Sequence, residues 1–451
     1  MHQTMPGSPM RPVAVRPRRA AEWGKYAVVG GLLLGQAVVI WLWWRNTSSL
    51  SSSLADQFTA VGRLTGLAGA YLILVQLLLM SRLRRLDQMI GAEDLTSWHR
   101  DFGALTVLML AAHTLFITLG YADRQGPIAE TWTLIREYPD VLMAYVGLVL
   151  FLGIGIISVR AIRNRLAYET WYYLHLYVYL ALGLGFAHQF ADGQEFASSL
   201  PARIFWSTLH LTVIAALLYG RIWTPLRLNV RHRLRVAHVV REGPGVVSVY
   251  VSGRRLGELN ARAGQFFRWR FMTRDGWWQA HPFSLSAAPD TRTMRITVKV
   301  LGDHTADLRR LRPGMRVLAE GPYGTFTADR RHHDDVLLIA GGIGIAPVRA
   351  LLDDLPFGRA VVLYRARRPQ DLVLKGELDA IAAQTGTRVV YLPGGANREA
   401  LSARGLAAHV PDLGRRDVYV CGPPGLVQAV LGSLQRLKVP KRQIHVDPFQ
   451  M

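Results

Sequence analysis

The sequence predicts three architectures in one multidomain chain: an all-α bundle of six transmembrane helices, then an antiparallel β-barrel, then an α/β domain built on a parallel sheet. Three observations predict it. Apolar residues concentrate before Trp223, in runs of about 20 residues, enough to cross a ~30 Å hydrocarbon core. From about Leu228 the pattern changes to short period-two segments separated by Gly and Pro, the signature of a small barrel. After Val336, buried-type strands alternate with helical runs, which places the strands parallel.

The apolar runs lie near 26–44, 60–80, 100–120, 141–159, 171–190 and 203–220. The segments between them alternate in charge. Arg11, Arg16, Arg18, Arg19 and Lys25 precede the first, and Arg82, Arg84 and Arg85 follow the second. Arg160, Arg163 and Arg165 follow the fourth, and Arg221, Arg227, Arg231 and Arg233 the sixth. The other connections are serine-rich or carry acids such as Asp123, Glu130, Glu137, Asp192 and Glu195. By the positive-inside rule both termini are cytoplasmic in a multi-pass protein of the plasma membrane. The first run lacks a cleavage site and reads as an anchored span. The net charge of +21 raises the question of nucleic acid. A solvated basic stripe with aromatic platforms would support that partner; here the arginines follow membrane topology instead, so the bilayer is the partner and nucleic acid is not. The single cysteine, Cys421, excludes an intrachain disulfide.

Four histidines stand out. His99 and His113 are 14 residues apart in the third span, and His175 and His188 are 13 apart in the fifth. Histidine in hydrocarbon is costly and usually functional. Fourteen residues of helix cover roughly 21 Å, so two metal centres stack across the membrane, and haem held by one imidazole from each helix suits them. Both spans run from inside to outside, which pairs His99 with His175 and His113 with His188. At ~100° per residue, 14 residues return within about 40° of the starting face, whereas 13 miss by about 140°. Span five must therefore change its winding locally, or its haems approach from different sides; Gly183 and Gly185 would ease a change of winding. His210, without a partner at comparable spacing, reads as structural.

The barrel segments are Leu234–Val240, Val246–Val251, Gln265–Phe271 and Met294–Val300. Among them, His281-Pro282-Phe283-Ser284-Leu285-Ser286 offers a donor, an aromatic plate and a hydroxyl at short spacing. Such a set suits a phosphate, a flat ring and the edge of that ring. Lys299, Gly302, Asp303, His304 and Thr305 form a turn ahead of a short helix whose backbone N–H groups suit a pyrophosphate. Gly321-Pro322-Tyr323-Gly324 reads as a tight turn into the next domain.

There, strand Val336–Ala340 enters Gly341-Gly342-Ile343-Gly344-Ile345-Ala346-Pro347, followed by helix Val348–Leu355. Gly341, Gly342 and Gly344 permit close backbone approach, and Pro347 suits the first helical position, so the helix start faces a diphosphate. Strand Ala360–Tyr364, helix Lys375–Ala383, strand Arg388–Leu392, strand Asp417–Cys421 and helix Gly425–Leu437 complete a sheet that binds ligands at its carboxyl edge. The second strand ends in Arg365-Ala366-Arg367-Arg368 with no acid for a ribose hydroxyl. Arginine there suits a 2′-phosphate, hence NADPH over NADH; an exposed basic loop is the plainer reading. Cys421-Gly422-Pro423-Pro424 ends at the same edge, where a thiol can touch a nicotinamide or simply fill the core.

Paired histidines in six spans, then HPFSLS, GGIGIAP and CGPP in order, resemble the NADPH oxidase and ferric reductase superfamily, its bacterial members in particular. The soluble half also resembles ferredoxin–NADP reductases. The resemblance covers roughly residues 60–451 and implies two b-type haems on His99, His113, His175 and His188. It implies that His281 contacts FAD phosphates, Phe283 stacks near the isoalloxazine and Ser284 reaches its N5 edge. Lys299 and Thr305 match the second FAD segment less closely. Gly341, Gly342 and Gly344 match the dinucleotide loop, Cys421 the nicotinamide-adjacent cysteine, and Phe449 a terminal aromatic that shields the flavin. His281 departs from the Arg common in ferredoxin–NADP reductases, and Ser284 from the Thr common in oxidases. Pro282, Gly422 and Pro423 belong to the same cofactor-binding set.

The expected organisation is a basic tail at 1–25, a haem domain at 26–222, an FAD barrel at 228–329 and an NADPH domain at 334–451. The expected function is transfer of electrons from cytosolic NADPH through FAD and two haems to dioxygen or a ferric chelate on the far side, with Ser284, Cys421 and Phe449 at the reacting centre. The alternative is a haem relay subunit that passes electrons to a bound partner protein. The acceptor, the oligomeric state (a homo-oligomer included) and regulation are not specified by the sequence.

Overall fold

The computed structural model describes residues 19–47, 53–122, 126–191, 199–274, 276–300, 307–394 and 399–448. Thr305 and Phe449, with Gly302, Asp303 and His304, lie outside the described residues. The chain divides into two units, one of Trp23–Leu86 with Glu93–Arg221, the other containing Asp87–Ala92 and Ile222–Met451.

The first unit is helical. Its elements are α1 (Arg19–Asn46), α2 (Leu54–Leu79), α3 (Arg84–Ile90, which straddles the division), α4 (Ala92–Tyr121), α5 (Pro127–Glu137), α6 (Val141–Ser158), α7 (Arg160–Arg163), α8 (Tyr168–Leu176), α9 (Val178–Ala191) and α10 (Leu200–Leu218). Five helices among the described residues are long and apolar enough to cross a membrane: Trp23–Asn46, Leu54–Leu79, Asp94–Tyr121, Val141–Ser158 and Leu200–His232. The last includes a π-helical turn, Tyr219–Trp223, and α11 (Thr224–His232). Exposed Leu33, Leu34, Leu108, Val149 and Leu211 are what a lipid-facing surface requires.

The span expected at 171–190 is not one helix. It is α8 and α9, joined at Tyr177, and neither piece alone has the length of a span. Tyr177 N–H bonds to Leu174 O at 3.1 Å, an i→i+3 bond that tightens the turn as in a 3₁₀ helix. This is a local change of winding, one of the two outcomes that the 13-residue spacing leaves open, and it does not fall at the glycines expected to ease it. Gly183 and Gly185 lie inside α9, with open space where a Cβ would stand. Glycine matters instead where helices touch. A Cβ on Gly147 of α6 would lie 2.9 Å from Ala181 O of α9, and one on Gly66 of α2 would lie 2.6 Å from His113 Nδ1 of α4. Small residues at such contacts are how membrane helices approach closely.

In the second unit the period-two segments form two three-stranded antiparallel sheets. One is ordered β1-β2-β5, from Arg235–Gly243, Val246–Ser252 and Thr293–Lys299. The other is ordered β4-β3-β6, from His281–Ser284, Phe266–Phe271 and Val317–Tyr323. Among the described residues isolated bridges, Arg235 to Arg316 and Leu285 to Ile296, connect them, so what stands here is two sheets around one core. Val249, Val251, Phe267, Trp269, Leu285 and Ile296 fill that core, each with no exposed surface. The expected tight turn at Gly321–Gly324 is corrected: Gly321, Pro322 and Tyr323 belong to β6. The pairing of β3 with β6 is irregular there, between Phe266 and Arg268. Gly321 has φ +144°, and a Cβ on it would lie 2.8 Å from Phe267.

The remaining strands, β7 (Val336–Gly341), β8 (Ala360–Ala366), β9 (Arg388–Pro393), β10 (Asp417–Gly422) and β11 (Ile444–Pro448), form a parallel sheet ordered β11-β10-β7-β8-β9. The sequence signals missed β11, a short polar strand, and the helix α14 named below. Strand β7 is buried on both faces: Leu338 and Ala340 enter one core cluster, Leu337 and Ile339 the other. Helices α12 (Ile345–Leu352), α13 (Lys375–Thr385), α14 (Ala403–His409) and α15 (Pro424–Arg436) accompany the sheet. Helix α12 starts three residues before expectation, so Pro347 is its third residue rather than its first. The position is still free of an intrahelical N–H partner, which is why proline is tolerated.

Candidate functional site

Two sets of residues come together, one in each unit. In the helical unit, α4 carries His99 and His113, α8 ends near His175, and α9 carries His188. The rings of His99 and His175 stand 6.1 Å apart between centroids at 79°, and those of His113 and His188 stand 6.4 Å apart at 36°. The sequence-based pairing is thus the spatial one. His113 donates Nδ1–H to Gly62 O at 2.8 Å, leaving Nε2 as the lone-pair nitrogen. Among the described residues, Nδ1 of His99 and Nδ1 of His175 are buried without a hydrogen bond, a costly state for a polar atom. Trp171 stacks on His175 at 5.1 Å and is itself covered by Arg163 at 4.5 Å.

A metal bonded at roughly 2 Å to two facing imidazoles separates their ring centres by about 6 Å, the spacing of both pairs. Among the described residues no group of three or more His, Cys, Asp or Glu could hold a metal ion. A porphyrin is a group that would bring the further ligands of such a metal with it. Around His113 and His188 lies a cavity of about 770 Å³ whose lining includes Leu67, Leu110, Phe151 and Trp206, with Asn46, Asp56, Arg63 and Gln189 as polar members. That volume is of cofactor size. His210 bonds Trp206 O through Nδ1 at 2.8 Å, the structural role expected of it.

In the other unit, β4 places His281 to Ser284 antiparallel to β3, with Phe283 opposite Phe267 and Ser284 opposite Phe266. His281 and Phe283 project to the same side, ring centroids 5.8 Å apart and 18° from parallel. Trp269 fixes the strand by donating Nε1–H to Phe283 O at 3.0 Å. Lys299, exposed, ends β5.

Ser284 meets the carboxyl edge of the parallel sheet. Its hydroxyl donates to Asp447 Oδ2 at 3.2 Å. Asp447 pairs with Cys421 across β10 and β11, and the Cys421 thiol donates to Asp447 O at 3.1 Å. Burial pushes the Asp447 carboxyl up to about 6, against the lowering effect of the Ser284 hydroxyl. Burial, then Asp447, raise the Cys421 thiol, so it stands neutral and is no thiolate nucleophile. Asp447 was not singled out in the sequence; an acid two residues before Phe449 is the signal that could have found it.

At the same edge Gly341 ends β7 and Gly342 turns with φ +57°. A Cβ on Gly344 would lie 2.3 Å from Cys421 O, and one on Gly422 3.2 Å from Gly341 Cα. The two loops are thus packed backbone to backbone, with Pro423 as the residue before α15. Arg365 is in register with Gly341 on the neighbouring strand. Arg368 pairs with Asp371, whereas Arg365 and Arg367 make no ion pair among the described residues.

Residues 65–186 match the ferric reductase like transmembrane component family, 232–327 an FAD-binding domain, and 338–431 an oxidoreductase NAD-binding domain. The chain belongs to the NADPH oxidase and ferric reductase superfamily. A ferric reductase like transmembrane component is followed in it by a ferredoxin-reductase-like module. Over 189 residues it is 30% identical to ferredoxin–NADP reductase B of Sorangium cellulosum, 37% of this chain and 77% of that protein. It is 34% identical over 151 residues to the reductase component of propane 2-monooxygenase of Mycolicibacterium goodii, covering 30% of this chain and 43% of that one. It is also 30% identical over 200 residues to the ferredoxin reductase component of 3-ketosteroid-9-alpha-monooxygenase of Mycobacterium tuberculosis, 43% of this chain and 56% of that one. The chain thus spans about half the length of the two monooxygenase reductase components.

Proposed function

We propose that this protein carries electrons from cytosolic NADPH across the plasma membrane to dioxygen or ferric iron, through FAD and two b-type haems. The observation that carries the reading is the pair of facing imidazole couples, 6.1 and 6.4 Å apart, on a chain that also contains FAD- and NAD-binding domains. When bound, FAD accepts a hydride and releases its electrons singly, and the haems pass them on. The residues bind, orient and tune.

His99 with His175, and His113 with His188, would hold the two haems, and the Gly62 carbonyl would fix the His113 tautomer. Arg63 and Asn46 would meet the carboxylates of the group in the cavity. His281 would hold the FAD phosphates, with Pro282, Lys299 and Thr305 beside it. Phe283 would lie near the flavin ring, Ser284 at its edge, and Phe449 over it. Gly341, Gly342, Gly344, Pro347, Gly422 and Pro423 would shape the diphosphate site, with Cys421 near the nicotinamide. Arg365 and Arg367 would take a 2′-phosphate and so favour NADPH. Asp447, neutral below about pH 6, would hold a proton next to Ser284. In this reading α8 and α9 together make the sixth crossing, both termini are cytoplasmic, and the domains are bounded as the sequence suggests. The relatives named reductase components favour a second reading, in which a bound protein takes the electrons. Dismutase-sensitive reduction of cytochrome c in air would decide for dioxygen.

His188→Ala tests the assignment. The wild type is expected to bind two low-spin haems per chain. The variant is expected to bind one, and to keep NADPH-dependent bleaching of the flavin. Two low-spin haems in the variant, or loss of flavin bleaching in folded protein, would sink it.

A further inference from the structure

The strand that follows Ser284 is held by a closed ring of charges that none of the motifs above includes. Arg295, on β5, is 7% exposed. Its Nε donates to Ser286 Oγ at 3.0 Å and its Nη2 to Ser286 O at 2.5 Å. Thr297 also donates to Ser286 Oγ, at 2.7 Å. The rest of the guanidinium forks onto Glu377 in the first turn of α13, at 2.9 and 3.2 Å. Glu377 accepts in turn from Arg349 of α12, and Arg349 donates to Asp353. Asp353 then accepts the backbone N–H of Ala288 at 2.8 Å. The circuit leaves the chain at Ser286 and returns to it at Ala288.

Two cations and two anions balance, with side-chain exposures of 8%, 28%, 11% and 18% for Arg295, Glu377, Arg349 and Asp353. Partly buried ion networks of this kind contribute little net stability compared with apolar packing, but they fix geometry. What this one fixes is specific. One side is the HPFSLS segment two residues after Ser284. The other is α12, whose start is the Gly341–Pro347 loop, and α13 beyond it.

We propose that Arg295, Glu377, Arg349 and Asp353 are positioning residues that clamp the flavin-binding strand to the nucleotide-binding helices and thereby set the distance for hydride transfer. The proposal rests on the functional reading above. In that step the hydride leaves the nicotinamide, which is oxidised, and its electron pair reduces the flavin. Misplacement by about 1 Å costs such a step roughly 100-fold, while binding of either cofactor draws on other residues.

The test is Arg295→Lys in the full chain loaded with FAD. Lysine keeps the charge but lacks the planar fork that reaches Ser286 and Glu377 together. Two readouts apply: hydrogen exchange of the Ala288 amide, and anaerobic stopped-flow bleaching of the flavin over a range of NADPH concentrations. The expected result is faster Ala288 exchange, FAD content unchanged, an apparent NADPH dissociation constant within about twofold, and a limiting rate lowered roughly 10- to 100-fold. A limiting rate within twofold of wild type, with or without faster exchange, would overturn the proposal. Glu377→Gln, judged by the same criteria, takes the place of Arg295→Lys if the latter does not fold. If the wild type itself fails to bleach with NADPH, the functional reading falls and the proposal with it, an outcome distinct from an insensitive variant.

Discussion

The Ser284 hydroxyl and the Asp447 carboxylate, 163 residues apart in sequence, meet at 3.2 Å. The contact joins the HPFS strand to the last described strand of the parallel sheet, beside the Cys421 thiol. A carboxyl that ordinarily titrates at 3.8 is pushed by burial to about 6 there. Because the folded value is the higher, the folded state binds more protons between those limits, and stability is lost as pH rises through the window. The wild-type melting temperature is therefore expected to decline from about pH 4 to about pH 6 by an amount that Asp447→Asn removes. An identical decline in the variant would show that another group is responsible.

Arg365 and Arg367 lie at the carboxyl edge without ion-pair partners among the described residues. Replacing both with Gln is expected to lower kcat/KM for NADPH by roughly 10- to 100-fold, the scale of one lost charged hydrogen bond, and to leave NADH almost unaffected. Equal losses with the two nucleotides would show that the arginines do not read the 2′-phosphate.

Gly344 is where the loops that follow β7 and β10 touch. A methyl group there would sit 2.3 Å from the Cys421 carbonyl, closer than atoms pack, and the obstacle is backbone that cannot swing aside. Gly344→Ala is expected to destabilise the soluble unit by about 1–3 kcal/mol, as overpacking does, and to raise KM for NADPH. Denaturant unfolding would check it; an unchanged midpoint would mean that the loops separate at no cost.

Much of this was legible because each signal is local. The Val336–Gly341 strand is a continuous apolar run with Gly after it, and the loop charges set the direction of both spans and so which of the four histidines pairs with which. What escaped depended on distance. Asp447 is one unremarked acid until β11 lands beside β10. The Arg295 ring joins residues from four segments that share no spacing rule. The break at Tyr177 is one of the two outcomes that the 13-residue interval leaves open, yet the glycines that a sequence reader would choose are not where it occurs, because a tightened turn needs only an i→i+3 bond and no special residue. The barrel signal was right about period two but silent on closure, and it read the end of β6 as a turn because Gly and Pro occupy it.

The most direct test of the central claim uses the full chain, loaded with FAD and haem, in sealed vesicles that enclose ferricyanide, which does not cross the bilayer. NADPH is added outside, and only molecules with the soluble unit outward can use it. Bleaching of the enclosed ferricyanide, abolished by His188→Ala, is the predicted result. Consumption of NADPH with the enclosed ferricyanide untouched would contradict electron transfer across the membrane.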